Sequence, residues 1–131
     1  MSVTEPTVIR LDERKKVVFS PDSYYQPILN GEVGDFPLFT GIQTAEPGYQ
    51  TRPHMHPYLE ILHILEGSAE AWLIGKEDDK TLLKAGDTIA LPANRPHAFR
   101  VVGDQTLRLL GTHLSSTRVV HYTDGDSVVM Q

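Results

Sequence analysis

The sequence predicts an all-β protein, and three features carry that expectation. Short runs rich in Val, Ile, Phe and Thr recur along the chain, and such runs fit the pleated surface of strands. Nine prolines and ten glycines punctuate them, as turns between strands require. No segment holds an apolar stripe at helical period for three turns. Many short strands at even spacing describe a sandwich or a barrel.

Composition sets further bounds. A chain of 131 residues, 40% apolar and 22% charged, is expected to form one soluble globular domain spanning 1–131. The net charge of −5 and the lack of a basic run argue against a nucleic-acid surface. No apolar stretch approaches the roughly 18–20 residues of a membrane span, and residues 1–6 lack the basic and apolar regions of a secretory signal. There is no cysteine, so disulfides and thiolate ligands are excluded. A cytoplasmic protein is expected, and any metal site must be built from His and carboxylate.

The elements follow in order. Residues 1–7 are polar and expected to fray. Apolar runs at Val8-Ile9 and Val17-Val18-Phe19 suggest N-terminal strands within residues 1–20, separated by a solvated charged turn, 12–16. Tyr24-Tyr25-Gln26-Pro27 and Asn30-Gly31 have the composition of loop and turn. A strand over 36–45 stops at Glu46-Pro47-Gly48. Strands are then expected at 61–65, 68–74, 81–83, 88–91, 98–102 and 106–113, with a charged hairpin loop at 75–80 and turns at 84–87, 92–96 and Gly103-Asp104. Residues 114–131 form a tail in which Val128-Val129-Met130 adds a strand or packs across a subunit. Within 68–74, burying an unpaired Glu70 is costly. Ala69, Ala71 and Leu73 are therefore placed inward, and Trp72 on the outer face beneath a partner chain.

The stretch from Gly48 to Gly67 carries the chemistry. His54 and His56 are two apart, so on a strand both imidazoles project from one face. Pro57 interrupts the ladder, and the resulting bend brings Glu60 back beside them. Two neutral imidazoles and a carboxylate suit iron, manganese, nickel, zinc or copper. A bare His-x-His pair also describes two surface histidines in a proline-rich loop, so the flanking pattern matters.

Gly48, five residues, His54-Met55-His56, three residues, Glu60, six residues and Gly67 resemble the first motif of the cupin family at every position. Gly86, five residues, Pro92 and then His97 resemble the second. Two positions depart from the pattern. Asn94 replaces a glycine, and Asn tolerates a positive φ. Val101 replaces a trailing asparagine, which does not touch the ligand set.

The resemblance implies a double-stranded β-helix, the jelly-roll barrel, with His54, His56, Glu60 and His97 as ligands of one divalent transition metal. Four ligands leave about two positions open on a six-coordinate ion. It also implies a small oxygen-bearing substrate chelated there and a homodimer, with the N-terminal strands within residues 1–20 as one candidate subunit contact. Dioxygenase chemistry is slightly favoured. Isomerase, lyase or polyketide cyclase activity, or non-catalytic ligand binding, are the alternatives.

Other residues are placed by alternation. Leu62 and Ile64 share a face with Glu60, and Phe99 shares one with His97, giving apolar cavity walls. Gln43 and Arg52 are the candidate polar contacts to substrate. His113, near the end of the last barrel strand, is a candidate general base or supporting group, with a plain structural role as its competitor. Glu60 is a second candidate base if it leaves the metal. His63 should face away from Glu60, and His121 should be solvent-exposed.

Overall fold

The computed structural model describes residues 4–130. Twelve strands form in chain order: β1 (Val17–Ser20), β2 (Ser23–Pro27), β3 (Phe39–Ala45), β4 (His54–Met55), β5 (Glu60–Glu66), β6 (Ser68–Leu73), β7 (Thr81–Lys84), β8 (Thr88–Leu91), β9 (His97–Val102), β10 (Leu107–His113), β11 (Arg118–Tyr122) and β12 (Ser127–Met130). They pair antiparallel throughout, in two six-stranded sheets. One runs β1-β2-β3-β10-β5-β8 and the other β12-β11-β4-β9-β6-β7. This is a double-stranded β-helix, or jelly roll, as expected.

Side-chain alternation explains the two layers. Along β10 every second residue is buried, and β5 shows the same period from Glu60 to Ile64. The inward sets of the two sheets meet in a core of Ala45, Leu62, Ile64, Ala69, Ala71, Leu83 and their neighbours. Ile64 and Leu107 are essentially inaccessible, and burial of each such side chain contributes about 1.5–3 kcal/mol. Gly67 turns the chain from β5 into β6 at φ 81°, and a Cβ there would lie 2.7 Å from the Thr106 carbonyl oxygen. Only glycine fits both conditions.

Several expectations change. Tyr24-Tyr25-Gln26-Pro27 is strand, not loop. Pro27 ends β2, and residues 23–27 pair with β3 in register from Ser23↔Ala45 to Pro27↔Gly41. Val8-Ile9 forms no strand, and a short 3-10 turn at Leu11–Glu13 follows it. The fraying expected of residues 1–7 falls partly on residues 1–3, outside the described residues. In the tail, the strand expected at Val128-Val129-Met130 does form, as β12 on β11, whereas β11 itself, paired with β4, is not among the expected elements. Trp72 does point away from the alanines, yet it is only 8% exposed. Its own hairpin loop covers it, with the Lys80 ammonium 5.0 Å from the ring centroid. No helix among the described residues is long and apolar enough to cross a membrane.

Candidate metal centre

The two sheets converge on one cluster. β4 and β9 of the second sheet place His54 and His97 opposite each other, as register partners. After Met55 the chain leaves that sheet, crosses at Pro57, and enters the first sheet at Glu60. Glu60 is the register partner of His113 on β10. His56 lies in the crossing itself. The loop before β9 docks onto it, because Asn94 at φ 61° donates its N–H to the His56 carbonyl at 2.8 Å. The proline bend therefore does bring the carboxylate back beside the imidazoles, by a change of sheet.

One potential ligand atom from each of His54, His56, Glu60 and His97 lies within 4.8 Å of all the others. Metal–ligand bonds of about 2.0–2.2 Å put ligands across an ion roughly 4 Å apart, so this spacing can hold one ion. His56, Glu60 and His97 are buried, and His54 is partly so.

Hydrogen bonds decide which ring nitrogen faces the centre. His54 Nδ1 donates to the Arg52 carbonyl at 2.6 Å, His56 Nδ1 to that of Val119 at 2.7 Å, and His97 Nδ1 to that of Arg95 at 3.0 Å. A carbonyl oxygen only accepts, so each Nδ1 carries the proton. In a neutral ring, Nε2 is then a bare lone pair. Nε2 of His56 and of His97 are buried without a hydrogen-bond partner, although Glu60 Oε1 lies 3.1 and 3.3 Å away. Two lone pairs facing a carboxylate oxygen repel unless a cation sits between them. A backbone carbonyl on the far nitrogen is also the usual way of orienting a metal-binding imidazole. The donor set therefore fits a divalent transition metal.

Electrostatics keeps the set ready. Burial pushes His54 down to about 4, with the neighbouring His97 adding to the effect, so its ring is neutral at pH 7. Burial alone would raise Glu60, but in the metal-free cluster coulombic attraction to His56 and His113, together with the N–H that His113 turns toward it, outweighs burial and holds the carboxyl well below its usual range.

His113 belongs to the same cluster but has the opposite tautomer. Its Nε2 is 3.1 Å from Glu60 Oε2, and its Nδ1 is 2.7 Å from the Tyr58 hydroxyl. Burial raises the phenol to about 12, so Tyr58 keeps its proton. The Glu60 carboxylate only accepts, which puts the His113 proton on Nε2 and leaves Nδ1 to accept from the Tyr58 hydroxyl, nearer than that hydroxyl's other acceptor, the Val119 carbonyl at 3.3 Å. Burial also lowers His113, against the pull of Glu60, so the ring is neutral and its remaining proton sits on Nε2, facing the carboxylate. Its lone pair points away from the centre, which sets it apart from the other three histidines. Tyr58 also stacks on His56 with ring centroids 5.3 Å apart. No sequence signal marked Tyr58, because its role depends on β10 and β11 arriving beside it.

A cavity of about 480 Å³ opens above the cluster, walled by Phe39, Leu62, Phe99, Leu109 and Tyr122 among others. Gly41 and Gly111, partners across β3 and β10, also line it. The substrate-contact expectations divide here. Leu62, Phe99 and Gln43 line the cavity, and Gln43 Nε2 donates to Ser23 Oγ at 2.9 Å. Ile64 does not line it. Although on the same face as Leu62, it lies one register step deeper and is closed over by the core. Arg52 reaches the rim, but its guanidinium is engaged by Asp124 at 2.5 Å and Asp126 at 3.2 Å and lies over Tyr122. It clasps the β11–β12 turn and is not free for a ligand. His63 faces away from Glu60, bonded to Thr88 at 2.7 Å. His121 is half-buried on β11, not loose in solvent.

Comparisons with known proteins agree with this architecture. The polyketide synthase CurC of Streptomyces cyaneus is 34% identical over 84 residues, 63% of this chain and 52% of that protein. The chain thus spans about half the length of the curated relatives it matches. The polyketide cyclase RemF of Streptomyces resistomycificus superposes with a TM-score of 0.70 at 23% identity, over 83% of this chain and 79% of the other. Oxalate decarboxylase of Bacillus subtilis, with its Mn(II) centres, gives a TM-score of 0.78 at 19% identity, over 95% of this chain and 34% of the other. These two share the fold. Residues 41–113, more than half the sequence and the whole of the histidine cluster, match the cupin domain profile, and the chain belongs to the cupin family.

Proposed function

We propose that the chain is a metal-dependent enzyme that promotes a redox-neutral ring closure on a conjugated, oxygen-rich small molecule of polyketide type. One observation carries the reading. Three imidazoles, their Nδ1 protons fixed on carbonyls, aim at one buried carboxylate at the base of an aromatic-walled cavity.

His54, His56, Glu60 and His97 would hold the ion, which is iron, manganese, nickel, zinc or copper. The bound metal supplies Lewis acidity to a chelated carbonyl or enol oxygen. The protein supplies the rest. Leu62, Phe99 and Leu109 exclude water from the conjugated chain and favour its folded form. His113 holds Glu60 Oε2 by its Nε2 proton and so fixes which carboxylate oxygen faces the imidazoles. Glu60 and His113 together are the groups placed to exchange a proton with a bound enol.

The oxygenase chemistry favoured by the ligand set is set aside because the same ligands serve redox-neutral reactions. Two of the similar proteins carry polyketide synthase or cyclase names, which supports the cyclase alternative. The test is turnover of a linear poly-β-ketone by protein loaded with zinc or with iron, in air and without dioxygen. Ring closure with zinc under anaerobic conditions is expected. Turnover confined to iron and dioxygen would restore the oxygenase reading, and tight binding without turnover would favour a binding module. The expected homodimer would cover Val18 and Val129, exposed on the edge strands β1 and β12. Sedimentation velocity tests it, a monomer at working concentration counting against it.

A further inference from the structure

Outside the metal cluster, the cavity contains one charged group that no described residue neutralises. Two cations line it, Arg52 and Arg118. Arg52 is held by Asp124 and Asp126. Arg118, at the start of β11, has no carboxylate partner and no side-chain hydrogen bond among the described residues. Its guanidinium carbon lies 5.2 Å from the ring centroid of Phe19 and 5.1 Å from that of Tyr25. Those two rings stack on each other at 5.0 Å. Cation–π attraction of this kind holds the group in place without using its N–H donors, of which a guanidinium has five in one plane.

The charge is felt through the cavity. It lowers the phenols of Tyr25, Tyr49 and Tyr58, against the larger effect of burial, and works against a proton on His113. Apart from Glu60, which serves the metal cluster, no acid among the described residues lines the cavity to answer it. A half-buried guanidinium with spare donors is complementary to an oxyanion, and the stacked rings beneath it suit a flat, conjugated body.

We propose that Arg118 is the anchor for an anionic oxygen substituent, a carboxylate or an ionised enol or phenol, on a planar conjugated substrate whose other end reaches the metal. The placement of the far end rests on the metal-centre reading above, whereas the anion site itself does not. Arg118 then sets orientation and selects charged over neutral substrates of the same shape. The Phe19–Tyr25 stack is the platform on which the flat part lies.

The test compares 2-naphthoate with its neutral isostere 2-naphthamide by titration calorimetry on zinc-loaded wild type, Arg118→Gln and Arg118→Lys. Zinc content of each is measured alongside by elemental analysis. Wild type should prefer the carboxylate by at least about tenfold, as expected for a charge-assisted hydrogen bond. Arg118→Gln should lose that preference at unchanged zinc content, and Arg118→Lys should keep part of it. A preference that survives in Arg118→Gln would mean that the metal takes the carboxylate, and would overturn the proposal. So would equal binding of the two probes, or binding of neither, by wild type. If zinc does not bind at all, the metal-centre reading fails, and the same comparison on metal-free protein still decides the role of Arg118.

Discussion

The two ends of the barrel are made from the same strands and differ in kind. On β5 the inward residues run Ile64, Leu62, Glu60, and on β9 they run Val101, Phe99, His97. On β10 they run Leu107, Leu109, Gly111, His113. Each strand begins or ends in aliphatic core and reaches, at its other end, a group with a lone pair or a charge. The register pairs Leu109 with Ile64, Gly111 with Leu62 and His113 with Glu60, so the change occurs at the same level across the sheet. The closed end supplies stability. The open end sacrifices some of it to hold polar groups in a dry site. Folding and chemistry are thus separated along one axis, by two or three residues per strand.

That division can be broken at the open end first. His97→Ala should reduce zinc retention by more than the roughly 10–100-fold typical of changes behind the ligands, as read by elemental analysis after dialysis. Retention at the wild-type level would remove His97 from the ligand set. At the closed end, Ile64→Ala should cost about 2–5 kcal/mol in denaturant unfolding while zinc per folded molecule stays the same. A loss of both together would mean the two ends are coupled.

Tyr58→Phe is subtler. It frees the His113 tautomer, and with it the orientation of Glu60, so metal affinity should fall roughly tenfold with little change in unfolding. Metal-free protein offers a fourth test. His54 is depressed from 6.5 to about 4, so the unfolded chain takes up that proton first. Its stabilising contribution is complete above pH 6.5 and is lost as pH falls toward 4, with Glu60 adding to the loss below 4.5. The melting temperature should therefore drop across that window. Ile64→Ala should shift the whole curve without altering its slope, since the closed end does not titrate. Smallest of all is Arg52→Ala. Its clasp on Asp124 and Asp126 is exposed to solvent and screened by it, so the melting temperature should stay within error of wild type.

The open end was legible in the sequence to the extent that its residues are local. Gly48 to Gly67 carries spacing information, because strand period and one proline bend fix where His54, His56 and Glu60 can point. His97 came with the second motif. What was not legible depends on strands that meet late. Arg118-Val119-Val120-His121-Tyr122 is too short and too mixed in polarity to announce a strand, yet β11 supplies the Val119 carbonyl for His56, Arg118 in the cavity and Tyr122 beside His54. Tyr24-Tyr25-Gln26-Pro27 was hidden by its proline, which is harmless at the end of β2. Ile64 was misplaced because alternation gives the face of a residue but not its depth along the barrel.

The glycine pair across β3 and β10 has a consequence for how such a protein diversifies. A methyl group at position 111 would meet Leu62 at 3.7 Å, an ordinary contact, whereas one at position 41 would press on the Tyr25 ring and the Gln26 carbonyl at 3.0 Å. The two positions are therefore unequal dials. Growth at 111 can trim the chamber for a smaller guest while leaving the imidazoles undisturbed, but growth at 41 must first displace an aromatic wall.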